Sequence, residues 1–177
     1  MKALAWAAAI TVAEAGARRL LRNRSRGWLL AYPIVGATAL IDWPARPRRG
    51  GALWVGIPLA LAGYPIGCAL LGHHPTGPPP DSQAVELLTL AGVVAPAEEL
   101  AWGGRVESRL GIAPTALLFA AKHVAIDGRW RRALGLVLFW TGLGIVRRSL
   151  PMLALGIHVA ANAGGVVVGH ATGRDQF

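Results

Sequence analysis

Three groups of polar residues interrupt otherwise apolar stretches of this chain: Glu98-Glu99, Phe119 with His123, and His158 with Asn162. Carboxylates and imidazoles are side chains that move protons, and amides donate hydrogen bonds. Adjacent residues on a helix point about 100° apart, so only one of Glu98 and Glu99 can enter a small cavity, with the other behind it. A spacing of four puts Phe119 and His123 on one helix face and does the same for His158 and Asn162. Lys122 is then turned aside, where its long stem can snorkel toward the helix end. A buried Glu is a candidate base, and an imidazole and an amide one turn apart are candidate donors to the oxyanion of an acyl-transfer intermediate. Each group also has a structural reading: a carboxylate pair neutralised by Arg105 or Arg109, a packed histidine, and a polar pair joining two helices.

Such residues need elements that hold them at depth. The chain has 177 residues, 54% hydrophobic and 15% charged, with a mean hydropathy of +0.45, which is a membrane-class composition. Residues 51–72 carry no charge over 22 positions. At about 1.5 Å per residue, a helix there crosses a hydrocarbon core of roughly 30 Å. Apolar runs predict helices near 3–17, 27–41, 51–72, 84–105, 111–126, 133–147 and 150–170. The expected fold is all-α, a polytopic membrane helix bundle of about six to seven transmembrane helices. It forms one membrane domain, with N-terminal helices and loops over 1–83 and the chemistry-bearing core over 84–170. Gly156, Ala160 and Gly164 form a small-xxx-small stripe, expected to let another helix approach closely.

The net charge of +9 comes from 16 Arg and 2 Lys against 9 acids. The arginines cluster at 18–26, 46–49, 129–132 and 147–148, between apolar runs, where basic residues flank membrane helices. The partner implied is the lipid bilayer and not nucleic acid. The loop at 73–83 has no Lys or Arg and is expected to face outward. That puts the 42–50 loop with Arg46, Arg48 and Arg49, the turn around Arg105 and Arg109, and the Arg147-Arg148 pair in the cytoplasm, while 127–132 lies outside against the rule. Residues 1–17 resemble a signal peptide, but the five arginines between Arg18 and Arg26 resist export. An uncleaved first helix or an interfacial helix is expected instead, with Glu14 fitting the interfacial version. Cys68 is alone, which excludes an internal disulfide, and no GxxxxGK or GxGxxG sequence supports nucleotide-driven transport. The Arg-over-Lys, Ala- and Gly-rich usage points to a bacterial source and hence a plasma-membrane location.

Taken in order, EE, FxxxH and HxxxN, with 25 residues from Glu98 to His123 and 35 from there to His158, resemble the CAAX prenyl protease and bacteriocin-processing (CPBP) family of intramembrane endopeptidases. The resemblance covers roughly residues 84–170. It implies peptide hydrolysis by water, with Glu98 and His123 binding and activating the water, His158 and Asn162 stabilising the oxyanion, and Glu99 tuning the site from behind. It further implies a hydrophobic or prenylated peptide or protein substrate, as in the processing of a secreted peptide or in bacteriocin self-immunity. The family pattern is EExxxR, and this chain has Gly103 where that arginine stands. Arg105, seven residues after Glu98 and nearly on its face, is the candidate substitute. Without a substitute the alternative is a non-catalytic membrane scaffold or immunity protein of the same fold. The mechanism requires no cofactor. Two His and two Glu can also ligate zinc, so a zinc-dependent variant is an alternative, although no HExxH spacing is present. A proton-coupled carrier is a third reading, and it lacks an inverted repeat.

Overall fold

In the computed structural model, residues 2–21, 24–40, 52–75 and 77–177 are described, and no strand occurs among them. The 42–50 loop lies outside the described residues. Seven helical runs carry the fold: α1 Lys2–Leu21, α2 Arg24–Ala39, α3 Leu53–Leu70, α4 over 83–110, α5 Ile112–Asp127, α6 Ala133–Ser149 and α7 Pro151–Thr172. A short 3-10 turn, Trp130–Arg132, joins α5 to α6. Helices α3 and α7 are long and apolar enough to cross a membrane by length and composition.

The local chemistry explains the boundaries. Gly111 and Gly128 have φ of +85° and +72°, a region that L side chains rarely adopt, and they stop α4 and α5. The break that the sequence suggests near Arg105 therefore falls later, and Arg105 and Arg109 are helical. Within α4, α-helical turns at Gln83–Glu86, Ala95–Glu98 and Glu107–Leu110 alternate with π-helical segments at Leu87–Val94 and Glu99–Val106. The Ala95 and Glu107 amides accordingly bond to Leu90 O and Trp102 O, five residues back. Pro96, which has no N–H to donate, sits at the junction. Such wide turns concentrate at functional sites, and Glu98 and Glu99 straddle the start of the second one.

Helices α3 and α6 pack backbone on backbone. A Cβ on Gly135 would lie 2.6 Å from Tyr64 O, and one on Gly63 would lie 2.9 Å from Leu138 Cβ. The stripe expected to do this work, on α7, does not: no described atom lies within 4 Å of a Cβ built on Gly156 or Gly164, and Gly164 lines a cavity. Ile10, Val35, Ala60, Trp102, Phe119, Trp140 and Ile157 belong to a single buried cluster, so all seven helices share one core across the 1–83 and 84–170 parts. Helix α1 buries Ala3, Ala7, Ile10, Glu14 and Ala17, one face at helical spacing, and is a core element.

One end of the bundle gathers the 73–82 connection, the 128–132 turn and residues 173–177. Asp175 N donates to Gly77 O at 2.8 Å, and Arg131 Nη1 donates to Gly72 O at 3.4 Å. Arg24, from the start of α2, is at this end too, paired with Glu86 at 2.8 Å. The loop at 73–83 is free of Lys and Arg, yet the end it belongs to carries Arg24, Arg129, Arg131 and Arg132. Charge bias therefore gives no outward assignment for it.

Candidate functional site

Glu98 sits between two imidazoles. His123 Nε2 lies 3.8 Å from Glu98 Oε1, and His158 Nε2 lies 3.6 Å from Glu98 Oε2. Helices α4, α5 and α7 thus bring together three residues separated by 25 and 35 positions in sequence. Both gaps exceed direct hydrogen-bond length. His123 Nε2 is buried and has no hydrogen-bond partner among the described residues. Its ring packs edge-on against Phe119 at 4.8 Å, as the FxxxH spacing predicts.

Glu99 stands behind this centre. Its Oε1 lies 3.0 Å from His158 Nδ1, and Arg147 grips both of its oxygens, Nε to Oε2 at 2.7 Å and Nη2 to Oε1 at 3.0 Å. A carboxylate only accepts, so Nδ1 carries the hydrogen in that contact, and Nε2 is turned toward Glu98. Arg147 also bonds Glu107 Oε2 at 2.6 Å, so one guanidinium joins two α4 carboxylates.

Arg147 corrects the expectation for Arg105. The cation that secures Glu99 comes from α6, and it lies directly over Gly103. A Cβ on Gly103 would fall 2.5 Å from Arg147 Nε and 2.7 Å from its Cζ. The Arg105 guanidinium instead lies over the Trp6 ring, 4.3 Å from its centroid. The glycine is therefore the space that admits the arginine from another helix.

Lys122 is the second correction. It does not snorkel: its side chain is fully buried, and Nζ lies 2.6 Å from Glu98 Oε1, 3.0 Å from Glu14 Oε2 and 2.9 Å from Tyr32 OH. Tyr32 OH is also within 2.7 Å of Glu14 Oε2 and 2.8 Å of Glu98 Oε1, while Trp28 Nε1 donates to Glu14 Oε1 at 2.9 Å. Glu14 is accordingly an interior residue and not part of an interfacial polar face. The reason is electrostatic: two carboxylates, Glu14 of α1 and Glu98 of α4, converge here, and a buried anion needs a cation beside it.

Asn162 keeps its place on the wall of the site but has a specific tether. Its Nδ2 donates to Leu90 O at 2.9 Å, the carbonyl that also accepts from Ala95 N in the π-helical turn. An amide nitrogen has two hydrogens, so the tether orients the group and leaves one N–H for the cavity.

That cavity, of about 890 Å³, reaches Glu98, His123, His158 and Asn162 at its inner part and Arg24, His73 and Arg129 at its mouth. Phe119, Leu136 and Phe139 supply apolar wall between them. Among the described residues, no group of three His, Cys, Asp or Glu side chains converges as a metal ligand set. The Lys122 ammonium, moreover, already occupies Glu98 Oε1.

Glu14, Tyr32, Lys122 and Arg147 are the site residues that sequence reasoning missed. Glu14 was the accessible signal, a lone acid on the buried face of an Ala-rich helix. Arg147 carried none, because beside Arg148 it reads as an ordinary helix-end charge. No protein-family model matches the chain, and neither a curated protein nor a solved structure shows significant similarity to it.

Proposed function

We propose that this protein is a multi-pass membrane endopeptidase of the CPBP type, hydrolysing a hydrophobic or lipidated peptide by activated water. The observation that carries the reading is the Glu98 carboxylate held between His123 Nε2 and His158 Nε2 at the inner part of a large cavity. A water beside Glu98 would lose a proton to the carboxylate, assisted by His123, as its oxygen attacks the scissile carbonyl carbon. The oxyanion formed would be stabilised by the cavity-facing Asn162 N–H and by the Nε2–H of His158 in its imidazolium form, the form in which both ring nitrogens donate. Collapse breaks the C–N bond, and the proton held by Glu98 passes to the departing amine. No step requires a metal.

The multi-pass reading is supported by apolar side chains on the outer faces of six helices. Examples are Leu4 and Val12 on α1, Ile34 on α2, Trp54 and Leu61 on α3, Leu88 on α4, Leu117 on α5, and Met152 and Val167 on α7. A water-facing surface with that much apolar area is unfavourable, whereas lipid accepts it. The bacterial plasma membrane is the proposed location.

A second reading, a non-catalytic scaffold or immunity protein, is favoured by Lys122. An ammonium 2.6 Å from Glu98 Oε1 makes the carboxylate part of a closed ion-pair cluster. The deciding experiment incubates the purified protein in liposomes with a library of hydrophobic peptides and follows new termini by mass spectrometry. Cleavage by wild type and none by Glu98→Gln supports the peptidase; equal cleavage by both rejects the mechanism. No cleavage of any peptide favours the scaffold.

A further inference from the structure

The mouth of the cavity already holds a peptide segment, and that segment belongs to this chain. Residues 174–177 leave α7 at Gly173 and fold back along the cavity wall, where Asp175, Gln176 and Phe177 are lining residues. Arg24 Nη1 donates to both Asp175 oxygens at 2.8 and 2.7 Å, and Arg129 Nη2 reaches Oδ2 at 3.3 Å. Both arginines also donate to the Phe177 carbonyl. Tyr64 OH donates to Gln176 O at 3.3 Å, and Asp175 N donates to Gly77 O at 2.8 Å. The Phe177 ring packs against the apolar cluster of Trp28, Tyr32, Leu90, Val94, Ala97 and Val166, over Gly165, where a Cβ would lie 2.5 Å from its Cζ.

These contacts form a built recognition surface. Arg24 and Asp175 are each more than nine-tenths buried as side chains, and charge-assisted bonds in such surroundings are strong. Main-chain groups are read by Gly77, Tyr64 and the two arginines, the carboxylate by the arginine pair, and the aromatic ring by an apolar pocket. Phe177 packs against the apolar cluster that includes Tyr32, whose hydroxyl bonds Glu98.

We infer that the cavity mouth is a peptide-binding subsite for an acidic residue followed two positions later by an aromatic one, occupied here in cis by Asp175 and Phe177. Identifying that peptide as a substrate rests on the peptidase reading above, whereas the binding does not. A dye-labelled peptide with the sequence Gly-Arg-Asp-Gln-Phe is titrated onto the full-length protein in detergent. The Asp175→Ala/Phe177→Ala variant, whose subsite is vacated, should bind at least about tenfold tighter than wild type, where the resident segment competes. Changing the peptide's Asp to Asn, or adding Arg129→Ala to the variant, should each remove most of that gain. Equal binding to variant and wild type, or indifference to Asp→Asn, overturns the inference.

Should the double variant fold poorly, 4-fluorophenylalanine at position 177 of the otherwise unaltered chain gives the same answer. Its fluorine resonance should shift as saturating peptide displaces the ring, and should stay in place with the Asn peptide. An unmoved resonance with both peptides overturns the inference. Specific binding without cleavage supports this subsite while rejecting the peptidase. Cleavage with no preference for the acidic-x-aromatic sequence does the reverse.

Discussion

Gly103 and Arg147 are complementary: the missing side chain on α4 is the space occupied by a guanidinium from α6, 2.5 Å from where a Cβ would lie. That guanidinium binds both oxygens of Glu99, which in turn contacts His158 Nδ1. The cation beside Glu99 is thus supplied from α6, and Gly103 leaves the room it needs. Gly103→Ala should push Arg147 off Glu99 and lower the proposed peptidase activity. Arg147→Met, which strands two buried carboxylates, should cost about 3–5 kcal/mol of stability. The informative variant is Gly103→Arg combined with Arg147→Ala, which returns the cation to α4, four residues after Glu99. It should recover part of the lost thermal stability in detergent, and a double variant no better than Arg147→Ala would show that the two positions are not interchangeable.

Glu98→Gln is nearly isosteric and keeps an acceptor for Lys122 and Tyr32, so the fold should survive. Loss of a general base predicts a fall in kcat of about 10²–10⁴-fold with little change in KM. Because the Lys122 ammonium already occupies Glu98 and no ligand set converges among the described residues, exhaustive chelation should leave the proposed peptidase turnover unchanged. Activity lost on chelation and regained with zinc would reject the metal-free mechanism.

The sequence revealed those parts of the site whose signal is local. EE, FxxxH and HxxxN each lie on one helix, and a spacing of four puts Phe119 with His123 and His158 with Asn162 on common faces. The all-helical fold was legible for the same reason, since apolar runs are local too, although α4 runs on past Arg105 to Leu110. What escaped was long-range pairing. Lys122 looked like a snorkelling lysine because its neutralising partner Glu14 is 108 positions earlier, on a helix that resembles a leader. Arg147 and Gly103 looked unrelated, 44 residues apart, until the α4–α6 contact joined them. The glycines that pack tightly belong to α3 and α6, because spacing reports a smooth face without saying whether a helix or a cavity lies against it.

Burial, together with the guanidinium groups of Arg132 and Arg129, holds the His73 imidazole below its ordinary range, against smaller opposing help from Asp127. A depressed histidine binds fewer protons folded than unfolded, so its stabilising contribution is present above about pH 6.5 and is lost as pH falls through the folded value. Thermal unfolding in detergent should therefore show a stability decline below about pH 6.5, and His73→Gln should flatten it. An identical decline in the variant would assign the effect to other groups.

Lys122 decides how much of the site depends on α1. Its Nζ is shared by Glu14 and Glu98, and Tyr32 OH contacts both carboxylates. Removing the lysine leaves two buried anions facing one another, so Lys122→Met should cost about 3–5 kcal/mol. Glu14→Gln removes one anion while retaining acceptors for Trp28, Tyr32 and Lys122, and should be milder, about 1–3 kcal/mol. Combined, Glu14→Gln/Lys122→Met leaves Glu98 as the only charge of this trio and should be less destabilised than the sum of the single changes, because the two residues share one network. Strict additivity in that cycle would mean the 3.0 Å Glu14–Lys122 contact carries no coupling. In that case α1 would support the core through Ala3, Ala7 and Ile10 alone and have no part in the electrostatics of the site.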